Sequence, residues 1–194
     1  MPPLIFILTG ASGAGKTSIA RRLLQRRHPR LIKVITSTTR LKRPGEKSGR
    51  DYRFYRSTEF KNKIARGELF EWAKVYGQYY GSLKTDVARA LRGTRPILMV
   101  VNIQGAKTIK KLHPKAVTFF IDAPLSELKR RLLQRGTTGA ELKLRQRQLA
   151  QEKKFAARAD YVILNPAGQL ARAVQNIVRL MANESRNRLT QPKT

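Results

Sequence analysis

Residues 10 to 17 read Gly10-Ala11-Ser12-Gly13-Ala14-Gly15-Lys16-Thr17. This is the Gly-x-x-x-x-Gly-Lys-[Ser/Thr] spacing of a phosphate-binding loop. The glycines let the backbone turn where a Cβ would obstruct it, so that freed N–H groups can face phosphate oxygens. A helix starting near Lys16 adds the positive end of its dipole. In such a loop Lys16 reaches the β- and γ-phosphates and the Thr17 hydroxyl is a Mg²⁺ ligand. The motif implies a nucleoside triphosphate and leaves the reaction open.

The flanking elements have the order the loop needs. Leu4 to Leu8 is a short apolar run, which predicts a buried parallel strand. Ile19, Ala20, Leu23 and Leu24 then recur at helical spacing, with arginines on the other face. Further strands are expected over 31–36, 50–56, 69–76 and 79–82, with a Gly77-Gln78 hairpin turn. Others are expected over 96–101, 117–121 and 161–164. Helices are expected over 59–66 with Ser57 as cap, 86–91, 105–112, from Ser126 to about 135, 137–158 and 170–181. Residues 36–90 therefore look like a small antiparallel insert after the second core strand. Strands alternating with helices predict an α/β fold: a three-layer sandwich around a parallel core sheet.

The composition narrows the setting. The 194 residues contain no cysteine, so disulfides and thiolate metal sites are excluded. No apolar run approaches the ~20 residues of a membrane span. The first strand starts almost at once, leaving no room for a signal peptide. A soluble cytoplasmic protein, monomer or homodimer, is expected. Lys plus Arg is 41 against 12 acids, a net charge of +29. On charge alone, weak, non-specific and salt-sensitive affinity for RNA is expected. The basic residues occur in nearly every segment, which favours a basic solvated surface over a dedicated nucleic-acid site. Scarce acids also make each carboxylate a candidate for a specific role.

Over residues 4 to 182 the chain resembles the guanylate kinases. The resemblance is carried by the phosphate loop, Ser37-Thr38-Thr39-Arg40, Arg43-Pro44-Gly45 and Gly49-Arg50-Asp51-Tyr52. It continues through Glu71-Trp72-Ala73, Tyr79-Tyr80-Gly81-Ser82, Ile103-Gln104-Gly105 and Arg131 to Thr137. The resemblance implies transfer of phosphoryl from ATP to GMP, with Mg²⁺, by a core, a GMP-binding insert and a helical lid. It implies core at 1–35, 91–124 and 156–185, insert at 36–90 and lid at 125–155. Residues 186–194 are expected to be a disordered tail.

The implied GMP site is Thr36, Arg40, Arg43, Tyr52, Glu71, Tyr80 and Ser82. Guanine offers N1–H and N2–H₂ donors that a Glu71 carboxylate can accept, and adenine lacks that pair. Arg40 and Arg43 would grip the GMP phosphate with planar, charge-assisted forks. The implied catalytic cations are Lys16, Arg40, Arg131 and Arg135, with Arg145 or Arg147 competing for the later lid position. One stretch departs from the family. Its usual Asp-x-Asp is here Val100-Val101-Asn102. Asn102 keeps a neutral oxygen and is a second candidate Mg²⁺ ligand beside Thr17. Asp122, at the end of the next strand, is a topological candidate to compensate. The resemblance therefore leaves three alternatives: an active kinase, a catalytically impaired nucleotide-binding or scaffold relative, or an RNA-associated basic protein.

Overall fold

The computed structural model describes residues 2–134, 136, 137, 139, 145, 149 and 152–190. A five-stranded parallel sheet forms its centre, in the order β2-β7-β1-β8-β9. The strands are β1 (Ile5–Gly10), β2 (Ile32–Lys33), β7 (Ile97–Val100), β8 (Val117–Asp122) and β9 (Tyr161–Leu164). Every residue of β1 is buried. Because successive strand side chains point to opposite faces, β1 feeds two cores at once. Phe6 and Leu8 pack with Phe119, with Ile19 and Leu23 of α1 (Lys16–Leu24), and with Ile177 and Met181 of α6 (Leu170–Thr190). Ile5 and Ile7 pack on the other face with Met99, Phe120 and Val87 of α3 (Lys84–Leu91). Ile109 of α4 (Ile103–Leu112) joins them there. The result is the three-layer α/β sandwich expected, with α5 (Leu125–Leu133) following β8.

A second, mixed sheet stands apart, in the order β4-β3-β6-β5. It comprises β3 (Thr36–Thr38), β4 (Arg53–Phe54), β5 (Leu69–Val75) and β6 (Gln78–Leu83), with α2 (Ser57–Ala65) between β4 and β5. Phe60 of α2 is fully buried and stacks on Tyr79, its ring centroid 5.4 Å away.

Several sequence expectations change. The single strand expected over 31–36 is two strands in two sheets. Ile32 and Lys33 pair with β7, whereas Thr36 pairs with Ser82. The expected strand over 50–56 shrinks to Arg53–Phe54, because Asp51 instead accepts the Lys47 N–H and closes a turn. Helix α2 begins after Arg56, whose N–H donates to the Glu59 carboxylate at 2.7 Å, so Ser57 is inside the helix. Helix α5 likewise starts before Ser126, after Pro124. The hairpin turn is Tyr76-Gly77, one residue earlier than Gly77-Gln78. The tail expected to be disordered from 186 is helical to Thr190. Its extension is supported by hydrogen bonds from Thr190 back to Arg186 and Asn187, and by Tyr161 donating to Glu184. In the stretch expected to be helical over 137–158, the described residues 139, 145, 149 and 152–156 are helical and 157–158 form a turn.

Candidate active site

The phosphate loop leaves β1 at the carboxyl edge of the sheet, the usual ligand edge of open α/β folds. Two of its glycines are enforced by geometry. Gly10 has φ 129°, and a Cβ there would lie 2.1 Å from the Ile121 carbonyl oxygen. Gly15 has φ 92°, and its Cβ would lie 2.5 Å from Nδ2 of Asn165. Asn165 is buried and its Nδ2 donates to the Ala14 carbonyl at 2.7 Å, bracing the loop from behind. The Lys16 ammonium lies across the loop, donating to the Gly10 and Ala11 carbonyls at 2.6 and 2.9 Å. Helix α1 starts at Lys16 with no acid in its first turn, so nothing there offsets its dipole for an anion.

One cleft joins this loop to the second sheet. It is lined at one end by Gly10, Ser12, Gly13, Gly15, Lys16 and Thr17, and at the other by Thr36, Glu71, Tyr80 and Gly81. Arg40, Arg43 and Tyr52 line it as well. The ladder β3-β6-β5 aligns Thr36 with Ser82, and Ser82 with Glu71. Glu71 is 3 % exposed, and the Ser82 hydroxyl donates to its Oε1 at 2.7 Å. Burial pushes the Glu71 carboxyl up to about 7, with the Ser82 hydrogen bond acting in the opposite direction. Gly105 of α4 abuts the same carboxylate.

The arginines are organised by an acid that sequence reasoning passed over. Glu46 accepts from both terminal guanidinium nitrogens of Arg40, at 2.9 and 3.0 Å, and from the backbone N–H of Arg43 at 2.9 Å. Burial opposes its ionisation, but these donors hold the Glu46 carboxyl below its ordinary range. Arg40 also lies over the rings of Tyr52 and Phe54, at 5.3 and 5.7 Å. Its fork is thus held in place by Glu46 and the two rings.

The arginines expected in the lid divide. Arg131 sits behind the loop, donating to Glu127 at 2.6 Å, the Asn165 carbonyl at 3.0 Å and the Gly13 carbonyl at 3.4 Å. Arg145 lines the cleft, its Nη1 donating to the Ser12 hydroxyl at 2.6 Å. Arg135 and Arg147 lie outside the described residues. Two further cleft residues were not foreseen. The Tyr76 hydroxyl donates to Glu152 at 3.3 Å, and Glu152 accepts the Ser12 N–H at 3.2 Å. Burial pushes the Glu152 carboxyl above its ordinary range, with Lys16 opposing. The available signal for both was general: scarce acids, and an aromatic in a hairpin turn.

Val100, Val101 and Asn102 line the cleft, Val100 and Asn102 standing at the two positions where the resemblance implies acids. Asn102 caps α4, its Oδ1 accepting the Gly105 N–H at 2.9 Å, so only its remaining lone pair is free for a cation's water. Asp122 does not line the cleft. Its Oδ1 accepts its neighbour's N–H, and Oδ2 lies 3.8 Å from the Lys153 ammonium. Among the described residues no cluster of three or more acids, histidines or cysteines could cage a metal. Thr17 and Asn102 with water and phosphate oxygens still suit Mg²⁺, which keeps most of its waters and binds through few protein oxygens.

A parallel α/β sheet, a phosphate loop at its carboxyl edge and a polar second pocket within the same cleft define a P-loop kinase. The sequence model of the family described as guanylate kinase matches residues 3–184. A guanylate kinase of Dechloromonas aromatica is 40% identical over 175 residues, 89% of this chain and 85% of that protein. One from Gloeobacter violaceus is also 40% identical, over 93% of this chain and 87% of its own length. The crystal structure of the guanylate kinase of Anaplasma phagocytophilum superposes with a TM-score of 0.76 at 29% identity. It covers 94% of this chain and 86% of that one. The chain belongs to the guanylate kinase family. Among the described residues no helix is long and apolar enough to cross a membrane.

Proposed function

We propose that this protein transfers the γ-phosphoryl group of ATP to GMP, giving ADP and GDP, in a Mg²⁺-dependent reaction. The observation that carries the reading is the shared cleft. A phosphate loop with Lys16 lines one end, and a buried carboxylate with a serine hydroxyl lies at the other. In this reading residues 36–90 hold GMP and 125–155 form the lid. Glu71 accepts the guanine N1–H and N2–H₂, and Thr36 and Ser82 complete the base pocket. Arg40, Arg43, Tyr52 and Tyr80 hold the acceptor phosphate. The acceptor is already a phosphate oxygen, so no general base is needed. Catalysis is alignment together with neutralisation of charge on the transferred group.

Lys16 and Arg145 supply cationic donors on the donor side of the cleft, and Arg131 stiffens the loop from behind. Arg135 is the remaining lid cation in this assignment. Mg²⁺, held by Thr17 with phosphate oxygens and water, would neutralise the donor phosphates. Replacing two carboxylates by Val100 and Asn102 weakens the pull on that ion, which favours slower turnover over its loss. Glu71 unpaired against adenine disfavours AMP, because a buried polar group deprived of its partner can reject an analogue by ~10⁴-fold. A cytoplasmic location and weak, salt-sensitive affinity for RNA accompany this reading, the second from the +29 charge.

The test is ADP release from ATP and Mg²⁺ with GMP, with AMP and with no acceptor, beside calorimetric binding of GMP. Turnover dependent on GMP is expected. Lys16→Ala is expected to abolish it while GMP still binds. Binding of GMP without turnover in the unaltered protein would move the chain to a nucleotide-binding or scaffold role. The Val100 and Asn102 positions would then be the cause to examine.

A further inference from the structure

Tyr76 occupies a backbone position that its side chain disfavours. Its φ is 51°, and among the described residues it is the one non-glycine with a positive φ. Gly77 follows at φ 76°, and Val75 pairs with Gln78, so Tyr76-Gly77 is a two-residue turn of the I′ type. Such turns favour Asn-Gly, because the first residue must enter the left-handed region. A bulky aromatic there is strained, and strain of this kind persists where function requires it.

The side chain shows what the position does. The Tyr76 ring lies under the Arg145 guanidinium, 4.3 Å from its centroid, and its hydroxyl donates to Glu152. Both of these groups also meet Ser12 of the phosphate loop. Arg145 donates to the Ser12 hydroxyl, and Glu152 accepts the Ser12 N–H. The turn of the second sheet, the helical residues Arg145 and Glu152, and the phosphate loop therefore converge on one contact. Neither Arg145 nor Glu152 belongs to the sheet that carries Glu71, and Tyr76 links both of them to that sheet.

We propose that Tyr76 is a positioning residue for phosphoryl transfer. Through its ring and hydroxyl it seats Arg145 and Glu152 against Ser12, so the placement of the acceptor sheet governs the placement of the donor-side groups. The proposal rests on the kinase reading above. Tyr76 acts through Arg145 and Glu152.

The decisive variant is Tyr76→Asn, because Asn tolerates the left-handed backbone and restores the favoured turn pair. Its Tm is expected to equal or exceed that of the unaltered protein. Its kcat is expected to fall about tenfold, as misplaced catalytic groups cost rate rather than affinity. Its KM for GMP should stay within about twofold, since Glu71, Arg40 and Arg43 are untouched. Tyr76→Phe, which keeps the ring, should recover part of the rate. In the double variant with Glu152→Gln, the loss should not exceed that of the slower single variant, because both break one network. Losses that multiply, or a Tyr76→Asn variant with kcat within about twofold of the unaltered protein, would overturn the proposal. Should Asn lower Tm, Tyr76→Gly fits the same φ and is judged by the same criteria. An unaltered protein without GMP-dependent turnover would overturn the kinase reading itself, and this inference with it.

Discussion

Glu71→Gln should make the nucleotide-free protein more stable at pH 8 than at pH 5, relative to the unaltered chain. Burial raises the Glu71 carboxyl from its ordinary 4.5 to about 7. A group whose pKa is higher folded than unfolded binds more protons in the folded state. Its ionisation costs nothing below about pH 4.5, where both states are protonated. The cost grows through the window and is complete above about pH 7. At ~1.36 kcal/mol per pH unit, the full cost is about 3 kcal/mol. It is under about 1 kcal/mol at pH 5 by the same linkage. Glutamine is neutral throughout and can still accept the Ser82 hydroxyl. Its amide, if left without a partner, costs ~1–3 kcal/mol, but by the same amount at both pH values. The decisive quantity is therefore the change in the stability gap between pH 5 and pH 8, about 2–3 kcal/mol in favour of glutamine at the higher pH. Urea titrations of both proteins at both pH values measure it. A gap that does not move with pH refutes the reasoning, since Glu71 would then ionise in the folded protein as it does unfolded. The same variant should lose its preference for GMP over AMP.

Two further substitutions test separate parts of the cleft. Gly105→Ala places a Cβ 2.5 Å from Oε2 of Glu71 and 3.1 Å from the Val101 Cβ, so the carboxylate must move. The KM for GMP should rise about tenfold or more with the KM for ATP little changed, and steady-state kinetics would expose the idea if both stayed put. Val100→Asp returns a negative charge to the lining of the cleft, and the Mg²⁺ concentration giving half-maximal rate should drop several-fold. An unchanged Mg²⁺ requirement would show that the missing carboxylate is not what limits binding of the ion.

How far the site could be read from sequence depended on whether a residue's role is local. The loop Gly10 to Thr17 was legible because its chemistry resides in contiguous backbone and adjacent side chains. The core strands were legible because β1 and β8 are continuous apolar runs bounded by turn residues. The split of residues 31–38 into two sheets was not, since Ile32 and Thr36 carry the same strand signal and differ only in partners far along the chain. Glu46 was missed for a related reason. Its role is to bind Arg40 and Arg43 together, and the loop that allows this has no periodicity. Tyr76 and Glu152 meet across 76 residues, beyond any local pattern. The extension of α6 to Thr190 depends partly on Tyr161 holding Glu184, again a distant contact.

Charge explains why Glu71 is the most informative side chain in the molecule. In a chain of net charge +29, a carboxylate finds a cation almost by default. Asp51 pairs with Arg50, Asp86 with Arg53, Glu68 with Lys63, Glu127 with Arg130 and Arg131, and Asp160 with Lys110. Among the described residues the buried Glu71 carboxylate accepts only the Ser82 hydroxyl, and no cation pairs with it. A guanidinium or ammonium there would relieve the desolvation cost, and the surrounding sequence is rich in both. It would also consume the lone pairs that a base with two adjacent N–H donors needs. Keeping cations away leaves a costly, unsaturated acceptor at the end of a cleft whose other walls favour phosphate. In the proposed reading the ligand brings its own donors at one end and its negative charge at the other, as GMP does.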